Sequence, residues 1–155
     1  MNTIIKSNIN RQVGEISNKV IELLSLNITA RTPIFIGEAN IKHIKQGHPN
    51  DFEKYGKNIK NIIQQPTYLA RNEKKKSIEY IKEYKENKDY VLVAVRVSNN
   101  NVHFVRTMYV MDKIKVEKYH NHNYFITYDT WNKGKSMVLF KYTYNTYESF
   151  WGRNW

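Results

Sequence analysis

The chain has 155 residues, with 25 Lys and Arg against 14 Asp and Glu, a formal net charge of +11, and no cysteine. This length suits one domain with its own core, the missing cysteine excludes disulfides and thiolate metal sites, and no apolar run approaches the roughly 20 residues of a membrane-spanning helix. The positive field attracts polyanions such as RNA, DNA or an acidic protein, although Lys, Asn, Ile and Tyr are also residues of AT-rich codons.

The first residues, Met1 to Asn10, carry one lysine and no apolar segment followed by small residues, so no secretory signal is expected and the expected location is cytoplasmic. Ile9, Val13, Ile16, Val20, Leu23 and Leu24 recur at spacings of three and four, which predicts an amphipathic helix over 9–26. Residues 28–36 are β-branched and interrupted by Pro33, which predicts an edge strand or extended loop. Gly37 opens a short helix over 38–46. Gly47 stops it and Pro49 forbids its continuation. Asn50 with Glu53 reads as a capping box for a third helix, whose buried face is Phe52, Tyr55, Ile59, Ile62 and Ile63 and which ends at Pro66.

Beyond Pro66 the period changes to two. Strands are expected over 67–71, 77–84, 90–97 and 102–111, with turns at Lys74, Lys75 and Lys76, at 86–89, and at Ser98 to Asn101. They make an antiparallel sheet packed on helices, an α+β fold with N-terminal helices on a four-stranded or larger antiparallel sheet. Residues 112–118 read as a helical turn or a continuing strand. Residues 119–155 are an aromatic C-terminal extension, with strands expected over 125–128 and 137–144.

Pairing Val97 with Val102 puts Val91, Val93, Val95 and Val97 on a face with Val102, Phe104, Met108 and Val110. The other face then carries Arg96 opposite His103, with Thr107 and Tyr109 further along. Arg106 falls on the apolar side in this register, which indicates either the sheet margin or a bulge.

Imidazole is the side chain best suited to move protons near neutral pH. His43 and His48 lie five positions apart around the end of the second helix, so either serves as base or acid. Arg96, Arg71 or Lys42 would hold a phosphate, and Thr107 and Tyr109 would donate to its oxygens. Lys45, Lys74, Lys75, Lys76 and His103 complete the expected nucleic-acid contacts. Glu79 and Glu83, on one strand face, are alternative general bases. His120 and His122 alternate as metal ligands do, but without a third partner they read as solvated residues. No metal or other cofactor is expected.

The element order over 34–111 is a histidine-bearing helix end, His48-Pro49, a helix ended by Pro66, and a four-stranded meander with Thr107-x-Tyr109 on its last strand. It resembles the phage-borne branch of the barnase, EndoU, colicin and RelE-type nuclease superfamily. The resemblance implies a nuclease-like core over 28–118 within a single domain spanning 1–155. It also implies a metal-independent ribonuclease, acting as a toxin or phage effector on RNA, possible substrates including tRNA, with an acidic immunity or antitoxin protein as partner. His43 and His48 would be its catalytic histidines, Thr107 and Tyr109 its polar strand positions, and Arg71 or Arg96 its phosphate cation. A non-catalytic RNA- or DNA-binding module and an effector docking an acidic protein are the alternatives.

Overall fold

The computed structural model describes residues 10–129. Its elements are β1 (Asn10–Ile16), α1 (Asn18–Leu24), β2 (Thr32–Gly37), α2 (Glu38–Gly47), α3 (Pro49–Tyr55), a 3-10 turn (Gly56–Asn58), α4 (Ile59–Gln64), β3 (Tyr68–Asn72), β4 (Ser77–Tyr84), β5 (Asp89–Arg96), β6 (His103–Val110), α5 (Lys113–Asn121) and β7 (Ile126–Thr127). The seven strands make one sheet in the order β1-β2-β6-β5-β4-β3-β7. The expected meander β3–β6 is its centre and is antiparallel throughout. The sheet as a whole is mixed, because β2 runs parallel to β6 through Ile34 opposite His103 and Phe35 opposite Phe104. The fold is therefore α+β, with a seven-stranded mixed sheet where a four-stranded or larger antiparallel one was expected.

The predicted N-terminal helix is a strand followed by a helix. Ser17 divides them: its hydroxyl accepts the Val20 N–H at 3.2 Å and caps α1. The preceding segment pairs with β2 across a bulge between Gln12 and Gly14. The third predicted helix is also divided. His48 rather than Asn50 occupies its N-cap, and Pro49 takes the first helical position, where no backbone donor is needed. The 3-10 turn then separates α3 from α4. There the Phe52 ring lies over Gly56, and a Cβ at Gly56 would meet it at 2.9 Å. The ambiguous segment after β6 is helical, because the Asp112 carboxylate accepts the Lys115 N–H at 2.8 Å and starts α5. The strand expected over 137–144 lies outside the described residues.

Each sheet face has its own core. On the helical face Ile16, Leu23, Ile34, Ile44, Tyr55, Ile62, Tyr80, Val93, Val95, Val105 and Met108 are buried together, with α1–α4 contributing. On the opposite face Ala70, Ile81, Leu92, Ala94 and Met111 pack under Tyr119 of α5. Each of these side chains supplies apolar burial on the order of 1–3 kcal/mol. A bulge in the β5–β6 ladder shifts its register. Val105 pairs with Val95 and Thr107 with Ala94, so Arg106 is the extra residue. The bulge resolves the misfit of Arg106 in the alternating pattern. It also corrects the pairing, since Arg96 lies opposite Phe104 and His103 turns to the helical face. The first half of β6 is edged by β2. Further along, the Asp51 carboxylate accepts the Val110 N–H at 3.0 Å, which brings the start of α3 against the strand.

Candidate active site

The sheet face opposite α1–α4, on which α5 packs, carries three parallel rows of side chains. One is Tyr68, Ile81, Leu92 and Tyr109; the next is Ala70, Glu79, Ala94 and Thr107; the third is Asn72, Ser77, Arg96 and Phe104. In the middle row Glu79 stands between two alanines. Small neighbours leave space beside a carboxylate that is itself only 2% exposed. That space opens into a cleft of about 830 Å³ between the β3–β4 turn and α5, lined by Lys74, Lys115 and Lys118 together with the carboxylates Glu73 and Asp112.

A carboxylate so deeply set needs donors, since burying an unpaired charge is costly. Glu79 has two. The Tyr119 hydroxyl donates to Oε1 at 2.6 Å, and the Asn72 amide donates from Nδ2 to Oε2 at 3.2 Å. Asn72 is held in turn, because its Oδ1 accepts the Lys75 N–H at 3.1 Å. Burial and, after it, the Glu79 charge push the Tyr119 phenol well above its usual range, so it stays protonated and remains a donor. The arrangement holds a carboxylate in one orientation at the floor of a cleft lined by charges of both signs.

Cations flank it. The bulge sends the Arg106 side chain to β4, where Nε donates to Ser77 Oγ at 3.3 Å. Ser77 precedes Glu79 by two residues on the same face. Arg96, exposed, is the cross-strand partner of Ser77. On the other side, the Lys115 ammonium donates to the Tyr109 hydroxyl and lies 4.7 Å from the Tyr109 ring and 5.8 Å from that of Tyr119. A buried carboxylate with guanidinium and ammonium groups on the same sheet face suits proton abstraction beside a phosphate.

A family model describing phage-Barnase-EndoU-ColicinE5/D-RelE like nuclease3, PBECR3, matches residues 11–118. The chain belongs to the PBECR3 nuclease family. No curated protein and no solved structure matches it. The PBECR3 match takes in the β1–β2 hairpin as well as the meander, and every residue described around Glu79 except Tyr119 falls within it.

The residues expected to form the site are distributed differently in this PBECR3 chain. His43 is exposed on α2, whose buried residue Ile44 belongs to the helical-face core, so His43 is not grouped with Glu79. His48 is half-buried. Its ring stacks on Tyr109 with centroids 5.1 Å apart, and Nδ1 lies 3.9 Å from the Asp51 carboxylate. Thr107 and Tyr109 do lie on the Glu79 face, as does Arg96. Lys74, Lys75 and Lys76 form an exposed turn at the rim. Lys42 and Lys45 are exposed on α2 and line a separate groove with Arg11.

Two residues expected to contact nucleic acid are buried. His103 is 0% exposed. Its Nδ1 accepts the Ser98 N–H at 3.0 Å, so Nε2 carries the proton and donates to Thr32 Oγ1 at 2.8 Å. Both ring nitrogens are engaged inside the protein, and burial pushes the imidazole below its usual value. Arg71 is buried too, and donates from one terminal nitrogen to the carbonyls of Leu24 and Ser25 at 3.1 and 3.0 Å. It satisfies the C-terminal carbonyls of α1. His120 and His122 are exposed at the end of α5. His120 packs edge-on to Phe125 and His122 stacks on Tyr124. Among the described residues no cluster of three His, Cys, Asp or Glu could hold a metal ion, and no helix is long and apolar enough to cross a membrane.

Sequence reasoning missed Asn72, Lys115 and Tyr119, which meet Glu79 or its cleft only through the fold. The signal for Arg106 was present as its misfit in the alternating register.

Proposed function

We propose that this chain is an endoribonuclease that cleaves RNA by attack of the 2′-oxygen on the neighbouring phosphate, with Glu79 accepting the 2′-hydroxyl proton. The observation that carries the reading is the Glu79 carboxylate, fixed by Tyr119 and Asn72 in a cleft that Lys74, Lys115 and Lys118 also line. The O2′–P bond forms as the P–O5′ bond breaks, leaving a 2′,3′-cyclic phosphate. The proton of O2′ passes to Glu79, and the Lys115 ammonium, lining the same cleft, supplies one to the departing 5′-oxygen. Arg106 and Arg96 hold the non-bridging oxygens in the bidentate manner open to guanidinium. The nucleophile belongs to the substrate, so the mechanism runs without a metal.

The proposal moves the base from His43 or His48 to Glu79. In the plane of the sheet, Tyr109 lies two strands and two residues from Glu79, about 12 Å by strand spacing and rise. His48 stacks on Tyr109, whereas the carboxylate of Glu79 is held by Tyr119 and Asn72. A basic nuclease acting on cytoplasmic RNA such as tRNA would be neutralised by an acidic immunity or antitoxin protein, and its net charge of +11 favours such a partner.

The test is cleavage of a short single-stranded RNA in EDTA, compared with the same oligonucleotide carrying 2′-deoxyribose at the cut position. Products ending in cyclic phosphate, with the deoxy substitution blocking the cut, are expected. Cleavage of the deoxy substrate at an equal rate overturns the mechanism. Salt-sensitive binding with no turnover overturns the enzyme and leaves a binding module.

A further inference from the structure

The third row of the open face does not end at Phe104. Parallel pairing places Phe35 of β2 opposite Phe104, and Gln12 of β1 follows opposite Phe35. The residues on either side of each phenylalanine point to the helical face, where Ile34, Ile36 and Val105 are core and His103 is buried. Phe35 and Phe104 therefore share the face of Glu79. Their ring centroids are 6.1 Å apart and the ring planes are inclined at 39°. Both are half-exposed, and among the described residues neither belongs to either core. Strand aromatics that join no core need another partner, and here a guanidinium neighbours one ring of the pair. Arg96 is the cross-strand neighbour of Phe104 and is exposed, and Arg106 reaches Ser77 in the same row.

We propose that Phe35 and Phe104 form a nucleobase-stacking subsite of this face, which takes an unpaired base of single-stranded RNA while Arg96 holds the adjoining phosphate. The proposal rests on the ribonuclease reading and adds the strand state of the substrate and the direction in which it lies. Aromatic rings on an open sheet recognise splayed bases, whereas duplex bases are already stacked on one another. Phe104 stands about 12 Å from Glu79 in the sheet plane, two strands and two residues away. A short stretch of extended chain bridges that distance. The RNA therefore runs across the strands, from the cleft beside α5 towards the β1–β2 hairpin, along a row in which Ser77, Arg96, Phe104 and Phe35 are consecutive neighbours.

The experiment measures binding rather than cleavage, so that its failure is separate from failure of the catalytic reading. A fluorescent single-stranded RNA is titrated against the full chain carrying Glu79→Gln, alone and combined with Phe35→Leu or Phe104→Leu. Leucine keeps apolar bulk and removes the ring face. Each is expected to weaken single-strand binding about tenfold, to leave the salt slope unchanged because no phosphate contact is removed, and to leave duplex RNA binding unaltered. Single-strand affinity unchanged in both variants overturns the subsite. An equal loss for duplex overturns it as well. Should either variant fold poorly, photocrosslinking of 5-iodouridine RNA to the unsubstituted aromatic pair decides. Adducts at Phe35 or Phe104 support stacking, and adducts confined to other residues refute it. Cleavage retained by Glu79→Gln would remove the proposed base without touching either result.

Discussion

Replacing Glu79 by glutamine tests the base directly, because the change keeps shape and removes only charge and one acceptor. In the folded protein Oε1 accepts from Tyr119 and Oε2 from Asn72. Glutamine can still accept from Tyr119. Its amide nitrogen then faces the Asn72 Nδ2, donor against donor. Turning Asn72 over would release the Lys75 N–H from its Oδ1. One hydrogen bond is thus lost whichever way the two amides settle, and since the Lys75 N–H is exposed to water the cost is about 0.5–1.5 kcal/mol. Loss of a general base costs roughly 100- to 10,000-fold in rate. Glu79→Gln is therefore expected to fold, to unfold at lower urea, and to cleave RNA at least a hundredfold more slowly under saturating substrate. Single-turnover cleavage on a protein checked by circular dichroism measures this. A rate within tenfold of the unsubstituted protein, on a native spectrum, would refute the assignment of Glu79.

Two further outcomes follow from residues at opposite ends of the argument. His103→Leu deletes the partners of the Ser98 N–H and the Thr32 hydroxyl and should cost about 2–4 kcal/mol in urea unfolding at pH 7. Because burial lowers the imidazole, the folded state binds fewer protons there than the unfolded chain. Its contribution is present above the unfolded value near 6.5 and is lost as pH falls towards the folded one, at up to about 1.4 kcal/mol per pH unit. Stability measured from pH 7 down to 5 should therefore decline less in the leucine variant; an unchanged slope would contradict the buried neutral ring. Arg106→Gln, measured for RNA binding on the Glu79→Gln background, should lower affinity for all sequences alike and reduce the salt slope by about 0.7. A slope equal to that of the parent would mean that the guanidinium meets no phosphate.

The meander was legible because its information is local. Alternating apolar residues and the Lys74–Lys76 and Ser98–Asn101 turns define β3 to β6 within a residue or two of where they stand. The β1–α1 boundary was not legible in the same way. Ile9, Val13, Ile16 and Val20 fit a helical stripe, and only the capping hydroxyl of Ser17 and pairing to a strand some twenty residues on divide them. The parallel contact of β2 with β6 joins segments about 70 residues apart and leaves no mark in either. Chemistry behaved likewise. Histidines drew attention by residue type, yet His103 went into the core and His43 onto an exposed helix face. Glu79 and Thr107 were visible on their strands. What makes Glu79 distinctive is Tyr119, forty residues later, and Asn72, seven residues earlier across a turn.

The bulge at Arg106 separates two things that proteins ordinarily trade against each other. The residue is surplus to the ladder: with it excised in thought, Val105 would be followed directly by Thr107, and each would keep its present partner and its present side of the sheet. The guanidinium is thus an insertion carried by the scaffold rather than a member of it. A charge lodged in this way can be gained or dropped by a lineage while the surrounding strands keep their alignment, so the chemistry of this surface is free to change on a frame that stays fixed.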